Sequence, residues 1–282
     1  MVLFLLISNC VMNGCKNGGT DEEIDDNTED GIVDDTEDGI VDDGSGDVID
    51  GGTLVVEASF EGTMLPFTHA YDGADIYADP TAPDGSQVLR FTYPPGHPSG
   101  YSTDLAWVCL EQSTIAAKVE YYFKYSENFF FHPVANKQLY VVVGEHTDFV
   151  ISAVDTIHTG GIGVNTILQI GCQDGNIGMT ELKNPNLAEN VTIRSNKWFK
   201  VTLFFQLNKD GQRDGILKLW VDDTQIMDYT DALFNSGIDA NTPFSCLKFD
   251  PVWGGVGDPK PDATDYFYID AVKIWAGPFE ER

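Results

Sequence analysis

Aromatic and amide side chains at strand-like positions are the residues of this sequence whose types could do chemistry. Trp220 and Phe204 stand among polar neighbours in alternating segments, so we expect them on a face turned away from the core. Aromatic rings stack on the C–H faces of sugars, and polar side chains hydrogen-bond sugar hydroxyls. The pattern predicts a sugar-binding face, but the strand register, and hence the orientation of each residue, stays open. The candidates are Trp220, Phe204, Gln206, Gln169, Asn136, Lys137, Tyr122, Tyr140, Arg90 and Trp253.

The segment between residues 90 and 101 (RFTYPPGHPSGY) combines proline, glycine and aromatic residues. Such a composition is typical of a loop at the rim of a binding groove, and it is equally compatible with internal packing. We keep both interpretations open.

The elements that must position these residues are short strands. From Thr53 onward, apolar or alternating runs are separated by Gly, Pro, Asp and Asn clusters, which is the pattern of a β-sandwich. We therefore predict one all-β, two-sheet antiparallel domain over residues 53–282, with at most one helical turn at Asp231–Asn235. The predicted strands are Leu54–Phe60, Val88–Tyr93, Lys118–Tyr125, Gln138–Val143, Phe149–Val154, Thr166–Cys172, Trp198–Leu207, Ile216–Asp222, Phe244–Phe249 and Tyr266–Trp275.

Two of these segments show which side chains face the core. Successive side chains of a strand point to opposite faces, so the apolar positions of 199–207 and 216–222 form two inward rows. The intervening Asn208–Gly215 (NKDGQRDG) has the Asp-Gly content of a hairpin connection. We expect an inward set of Val201, Leu203, Phe205, Leu207, Leu217, Leu219 and Val221.

The formal charge of −29 excludes some classes of partner. Nucleic-acid affinity depends on Lys and Arg that neutralise phosphates, so a nucleic-acid partner is not expected. No run of eighteen apolar residues exists, so an integral membrane protein is not expected either. Residues 20–50 carry fifteen acidic and no basic side chains, and residues 51–282 have a net charge of −15.

The N-terminus is typical of an exported protein. Met1–Ser8 (MVLFLLIS) is apolar, and Cys15 follows a small residue, as in a bacterial lipoprotein signal whose cysteine becomes lipidated. A cleaved secretory signal and a short buried strand are the alternatives. We predict a signal segment over residues 1–15 and an extracytoplasmic protein that meets a membrane only through a lipid anchor at Cys15.

Residues 16–52 have the composition of a disordered acidic tether. The octapeptide TEDGIVDD at Thr28–Asp35 recurs unchanged at Thr36–Asp43. Dense like charge with glycine cannot bury enough apolar surface to fold, and its self-repulsion extends the chain. A calcium-binding repeat is the alternative, but the spacing does not match that pattern.

Several motifs resemble the concanavalin A-like jelly rolls, a superfamily that includes lectins, glucanases and polysaccharide-lyase-like proteins. Trp198-Phe-Lys-Val, the turn at Asn208 and Asp214-Gly-Ile-Leu-Lys-Leu-Trp220-Val-Asp-Asp are similar to two paired strands of that fold. Tyr266-Phe-Tyr-Ile-Asp270 resembles its last strand, and Phe249-Asp-Pro-Val-Trp253-Gly-Gly is similar to secreted lyase-like members. The resemblance covers roughly residues 53–280 and implies an antiparallel jelly-roll sandwich without deciding the activity.

The lyase branch of that superfamily implies catalytic candidates. Such enzymes remove the proton next to a uronate carboxyl, which needs a base and a group that neutralises the carboxylate. The stretch from His132 to Tyr140 is similar to the segment that carries a groove lysine in lyase-like jelly rolls, which points to Lys137 and His132. The following strand, Thr166–Cys172, has no arginine, and no Tyr-x-Tyr precedes Trp198, so the sequence departs from the lyase pattern.

The resemblance also implies one structural Ca²⁺ where the first and last strands meet, with Glu61 and Asp270 as ligands. No organic cofactor is expected. Cys109, Cys172 and Cys246 follow the leader, and they allow one disulfide with a spare thiol or three free buried cysteines.

We therefore expect an exported protein that binds a polysaccharide, with neutral glycans favoured by the acidic charge of the domain. Polysaccharide β-elimination is the alternative function, and a structural or adhesive surface role is the third. Which glycan is bound, and the oligomeric state, stay open.

Overall fold

The computed structural model describes residues 49–143, 146–155, 166–172, 184–209, 211–234, 243–255, 257 and 259–281. Cys15, the octapeptide repeat and most of the expected tether lie outside these residues. The described part of the chain forms sixteen β-strands and contains no helix, hence none long and apolar enough to cross a membrane. The strands are β1 (Ile49–Ala58), β2 (Thr68–His69), β3 (Ala74–Ala78), β4 (Gln87–Tyr93), β5 (Tyr101–Ser102), β6 (Ala106–Thr114), β7 (Ala116–Tyr125), β8 (Asn136–Val143), β9 (His146–Asp155), β10 (Thr166–Cys172), β11 (Phe199–Gln206), β12 (Gly215–Val221), β13 (Thr224–Ala232), β14 (Phe244–Phe249), β15 (Val252–Trp253) and β16 (Asp265–Glu281).

The strands form two antiparallel sheets. Sheet 1 has the order β13-β12-β11-β7-β16-β4-β3, and β1 also pairs with the long strand β16. Sheet 2 has the order β10-β9-β8-β14-β6-β2, and the short strands β15 and β5 extend it because β15 pairs with both β8 and β5. The predicted all-β, two-sheet antiparallel sandwich is confirmed.

Alternating apolar side chains hold the two sheets together. In β11 and β12, Leu203 and Leu219 are register partners and both are fully buried, as the alternation predicts. Aromatic contacts join the sheets: the ring centroids of Tyr121 and Phe249 are 5.3 Å apart, and those of Phe149 and Phe205 are 5.4 Å apart. The core is therefore the shared inner surface of both sheets.

All ten predicted strand segments contain strands, but two longer strands were not predicted. β6 begins with an apolar run, Ala106–Leu110, but ends in exposed polar residues, and β13 is a polar edge strand without a long apolar run. The possible helical turn at Asp231–Asn235 is wrong at its start, because Asp231 and Ala232 lie in β13. β1 begins at Ile49, four residues before the expected domain start, because Ile49 pairs with Glu281 at the end of β16.

A disulfide joins two adjacent strands of sheet 2. Cys109 of β6 and Cys246 of β14 are register partners and are bonded, at a sequence separation of 137. Both point to the outer face of the sheet, and Cys109 is exposed. The pairing that the sequence left open is therefore Cys109 with Cys246.

We expect reduction of this bond to lower the free energy of unfolding by about 2–5 kcal/mol, because the unfolded chain regains the entropy of a long closed loop. Urea unfolding with and without dithiothreitol measures the change. A Cys109→Ser/Cys246→Ser double variant should unfold at the midpoint of the reduced protein and should not respond to dithiothreitol. An unchanged midpoint on reduction would contradict the expectation.

Candidate functional site

The structure distributes the predicted sugar-binding residues over two opposite surfaces. Strand register places Trp220, Phe204, Gln206, Tyr122 and Arg90 on the outer face of sheet 1. Lys137, Tyr140 and Gln169 lie instead on the outer face of sheet 2. Since the core separates the two faces, one glycan cannot contact both sets.

Charged side chains on the outer face of sheet 1 are largely paired with their neighbours. Arg90 donates two hydrogen bonds to Asp75, at 2.9 Å and 2.7 Å, and its guanidinium lies 4.1 Å from the ring centroid of Tyr77. These contacts satisfy the arginine within the sheet and raise its pKa, chiefly through the Asp75 hydrogen bond. The same pattern of pairing recurs at Lys118 with Trp275, Lys200 with Glu120 and Lys124 with Asp79.

Phe204 points outward, as its position in β11 predicts, but it is only 1% exposed. Phe279 from the end of β16 packs edge-on against it, with ring centroids 5.2 Å apart. Its ring face is therefore not available to a sugar. Trp220, Tyr122 and Gln206 are half-buried on the same surface.

A β-bulge in β8 brings two chemically active side chains onto the outer face of sheet 2. Residues three apart in a regular strand point to opposite faces, so Lys137 and Tyr140 should diverge. The register instead moves from Lys137–Ser152 directly to Leu139–Ile151, which leaves Gln138 as the extra residue. Lys137 and Tyr140 consequently both face outward.

Gln138 points inward and stabilises this bulge. Its amide oxygen accepts a hydrogen bond from the Tyr121 hydroxyl at 3.2 Å, and its amide nitrogen donates to the Tyr125 oxygen at 2.9 Å. All three side chains are buried, so each partner satisfies a polar group that would otherwise be costly to bury. Burial also raises the pKa of both phenols, which stay protonated.

Neighbouring strands extend the outer face of sheet 2 in two rows. Lys137, Ser152 and Gln169 are cross-strand neighbours on β8, β9 and β10. Tyr140, Lys248 and Trp107 form the second row on β8, β14 and β6. Tyr140 is only 4% exposed and Ser152 only 7% exposed although both point outward, so neighbouring groups cover these two side chains.

Asp250 supplies the negative charge beside the two lysines. It follows β14 and donates its backbone N–H to Gln138 O at 3.1 Å, which places it next to Lys137 and two residues from Lys248. Burial raises its pKa, while the hydrogen bond with Ser102 and, after it, the charges of Lys137 and Lys248 oppose the rise. Within the described residues, Asp250 Oδ1 is buried without a hydrogen-bond partner, and the two lysines add to the compensation that Ser102 supplies.

Sequence reasoning missed Lys248, Asp250, Ser152 and Trp107. A signal for Lys248 exists, because it stands between the apolar Leu247 and Phe249 in a predicted strand and must point outward. Asp250 carries no such signal, since its position depends on the bulge in β8.

Two predicted sugar-binding residues, Trp253 and Asn136, have structural roles instead. Trp253 is fully buried and donates its indole N–H to Phe130 O at 3.0 Å, so its ring cannot stack on a sugar. Asn136 is 1% exposed and accepts a hydrogen bond from the His132 backbone N–H at 3.1 Å. Both residues stabilise the loop that leads into β8.

His132, the predicted base, is also buried in this loop. The Val134 N–H donates to its Nδ1 at 3.1 Å, so Nε2 carries the proton and faces the Ser99 hydroxyl at 3.1 Å. Gly254 has φ +78°, and a Cβ there would lie 2.4 Å from the imidazole, so only glycine fits. Burial lowers the pKa of His132 to about 4, which keeps the ring neutral. A fully buried ring cannot take a proton from a substrate.

The pKa of His132 makes the stability of the fold depend on pH. His132 has a pKa of 6.5 in the unfolded chain and of about 4 in the fold, so the folded state favours the neutral ring. The stability that depends on the neutral ring is therefore fully present above pH 6.5 and is lost as the pH falls toward 4. The loss amounts to about 2–3 kcal/mol. We expect a His132→Asn variant, measured by urea unfolding between pH 7 and 4, to lose stability less steeply than the parent. An identical slope in both proteins would contradict this assignment.

Glu61 and Asp270 lie close together, and their oxygens accept hydrogen bonds from the backbone. The N–H groups of Ser86 and Gln87 donate to Glu61 at 2.6 Å and 2.7 Å, and this lowers the pKa of Glu61. Asp270 accepts from Asp84 N at 2.9 Å, while burial raises its pKa to about 6 and nearby Glu61 contributes to the rise. The described residues contain no group of three His, Cys, Asp or Glu placed to hold a metal. Calcium binding here stays a prediction.

Comparison with solved structures identifies the fold. An alginate lyase Aly36B variant bound to an alginate trisaccharide superposes with a TM-score of 0.57 and 14% identity, covering 79% of this chain and 98% of that chain. The endo-β-1,4-glucuronan lyase of the fungus Trichoderma reesei gives 0.51 and 12%, covering 73% and 88%. The cellulose induced protein Cip1 gives 0.51 and 13%, covering 79% and 97%. No protein-family model and no curated protein matches the sequence.

The fold is therefore a concanavalin A-like jelly roll, as the sequence resemblance predicted. At these identities the likeness establishes the fold alone. The activity has to be argued from the two outer faces.

Proposed function

We propose that this protein binds a polysaccharide across the outer face of sheet 2. The observation that carries the proposal is the bulge at Gln138, which places Lys137 and Tyr140 on one face together with Lys248. A few convergent polar groups are a usual feature of ligand sites. The outer face of sheet 1 is a weaker candidate because Phe279 covers the ring of Phe204 there.

The dimensions of the face suit an extended glycan. From Trp107 on β6 to Gly171 on β10 it crosses five strands, which span roughly 19 Å at the usual strand spacing of about 4.8 Å. The Gln169 amide nitrogen donates to Asn184, so its amide oxygen is the group offered to sugar hydroxyls, and the half-buried Trp107 offers an aromatic surface. A chain of several sugar units lying across the strands would contact all of these residues.

Two lysines on this face favour an acidic glycan over the neutral one expected from composition. Lys137 and Lys248 both point outward there, and the charges of both act on the neighbouring Asp250. At physiological ionic strength, the screening length of about 8 Å weakens repulsion from acidic groups elsewhere on the domain. Local lysines therefore decide the interaction more than the net charge does.

Polysaccharide cleavage by β-elimination is the second candidate function. Lys137 and Lys248 would neutralise a uronate carboxylate, which makes the adjacent C5–H acidic enough to lose its proton. Tyr140 is the outward-pointing phenol of this face, and because it is only 4% exposed, it would have to become accessible to the substrate before it could transfer protons. As the C5–H bond breaks, a C4–C5 double bond forms, the C4–O4 bond breaks and O4 takes a proton. Two of the similar structures are named for lyase activity, on alginate and on glucuronan.

We also propose that the domain is exported and attached to a membrane through a lipid on Cys15. The apolar leader, the small residue before Cys15 and the acidic segment that follows support this arrangement. Residues 16–48 would then hold the domain away from the surface to which it is anchored.

Replacing Lys137 tests the binding site. We expect Lys137→Ala to weaken binding of alginate or glucuronan at least tenfold, because one of two carboxylate-pairing charges is lost. Isothermal titration calorimetry measures the affinity. Lys200→Ala is the matched control, since Lys200 lies on the outer face of sheet 1, and it should leave binding unchanged. Loss of binding in the control alone would move the site to sheet 1.

Replacing Tyr140 separates binding from cleavage. Tyr140→Phe removes only the hydroxyl, so in a lyase we expect kcat to fall at least a hundredfold with little change in KM. The assay is absorbance near 235 nm, which detects the unsaturated uronate product. Binding without any absorbance change in the parent protein would establish a binding module. Neither binding nor turnover on a broad glycan panel would favour the adhesive role.

A further inference from the structure

An acidic side chain lies on the same face as the two lysines that are proposed to bind the glycan. Lys248 points outward and Phe249 is fully buried, so strand alternation turns Asp250, the next residue, to the side of Lys248. The Asp250 N–H donates to Gln138 O at 3.1 Å, which places Asp250 opposite the β8 bulge and next to Lys137. A carboxylate therefore lies beside both lysines on the outer face of sheet 2.

The backbone around Asp250 is fixed by contacts with the core. Asp250 O accepts a hydrogen bond from the Val252 N–H at 2.7 Å, and the Tyr93 hydroxyl donates to Pro251 O at 3.0 Å. Tyr93 is fully buried, and burial raises the pKa of its phenol, which therefore stays protonated. Because the turn after β14 is anchored in this way, the short side chain of Asp250 cannot move far from the two lysines.

Groups from several elements act on the Asp250 carboxylate. Burial raises its pKa, and the charge of Asp104, two residues after β5, adds to the rise. A hydrogen bond with Ser102 on β5 opposes the rise, as do the charges of Lys137 on β8 and Lys248 on β14. Since burial outweighs the opposing groups, Asp250 takes up a proton at a higher pH than an exposed aspartate does.

An ionised Asp250 acts against an acidic glycan in two ways. It repels the glycan carboxylates directly, and it lowers the positive potential around the lysines. Both effects end when Asp250 is protonated, whereas the lysine ammonium groups and the uronate carboxylates stay charged between pH 7 and 5. Asp250 Oδ1 is buried and has no hydrogen-bond partner among the described residues, so a neutral side chain would lose no hydrogen bond at that oxygen.

We propose that Asp250 is a specificity-determining residue of the sheet 2 face: when ionised it restrains the binding of acidic glycans, and when protonated it leaves both lysines to act on the glycan carboxylates. The inference rests on the proposed function and adds to it a dependence on pH, with acidic glycans bound more tightly as the pH falls from 7 to 5. By linkage, glycan binding favours the protonated carboxyl, so the complex takes up a fraction of a proton when it forms.

Neutralising Asp250 tests the proposal. We expect Asp250→Asn to strengthen the binding of alginate or glucuronan about three- to tenfold at pH 7, as for the removal of one like charge close to the ligand. The affinity of the parent should rise as the pH falls to 5, and that of the variant should change less than twofold. Carboxyl-reduced alginate should gain nothing from the substitution. Isothermal titration calorimetry measures these affinities, and the range ends above the pKa of His132, which is about 4.

Proton uptake is a second readout, and the parent protein alone supplies it. Calorimetry at pH 5.5 in two buffers of different ionisation enthalpy should show uptake of a fraction of a proton per bound glycan in the parent and none in Asp250→Asn. Asp223→Asn is the matched control, because the Asp223 side chain is 87% exposed in the turn after β12 of sheet 1. It changes the net charge equally and should bind as the parent does.

Unchanged or weaker binding by Asp250→Asn overturns the role of Asp250, and if Lys137→Ala still loses binding, the proposed function stands. An equal gain in Asp223→Asn, or an equal gain for carboxyl-reduced alginate, also overturns it, since the effect would then not come from this carboxylate and the glycan charge. A parent that binds without proton uptake overturns it even if the variant does not fold. Failure of the parent to bind any acidic glycan overturns both proposals.

Discussion

The two hydrogen bonds of the Gln138 amide are the interaction on which the candidate site depends. They join the inner surfaces of the two sheets by pairing with Tyr121 of sheet 1 and with Tyr125. They also fix the inward orientation of the extra residue in the β8 bulge, and the bulge turns Lys137 and Tyr140 to the same side. A polar contact inside the core thereby decides which side chains are presented outside it. Since all of its partners are buried, the contact has no alternative partner in water.

The two outer faces of the sandwich differ in how their charges are compensated. On sheet 1, Arg90 and Asp75 form a two-point ion pair, and cation–π contacts with Tyr77 and Tyr266 add to it. Because these charged groups are already paired with other protein groups, an ionic ligand would gain little electrostatic free energy by binding there. On sheet 2, the charges of Lys137 and Lys248 act on the buried Asp250, one oxygen of which has no hydrogen-bond partner in the part of the chain that the structure describes. Carboxylates with shifted pKa values are enriched at functional sites.

Elements with a strong alternation of apolar and polar residues were predictable. β10 and β14 have the predicted limits, and the inward row of β11 and β12 is confirmed. The polar edge strand β13 was not predictable, since edge strands need no apolar run on either face. Lys137, Tyr140 and Gln169 were recognised as candidates, but their grouping with Lys248 was not. His132, Trp253 and Asn136 were recognised by residue type, which does not distinguish a buried loop residue from a site residue.

The sequence by itself determined the all-β class, the faces of the strongly alternating strands and the jelly-roll resemblance, because each follows from local periodicity and local motifs. Only the tertiary structure decided the pairing of Cys109 with Cys246, the burial of His132 and Trp253, and the face on which each candidate lies. These depend on register and on one extra residue in β8, and a shift of one residue reverses the face of every side chain that follows. Register arises from contacts between strands that are far apart in the chain, such as those of β8 with β14, so no local pattern contains it.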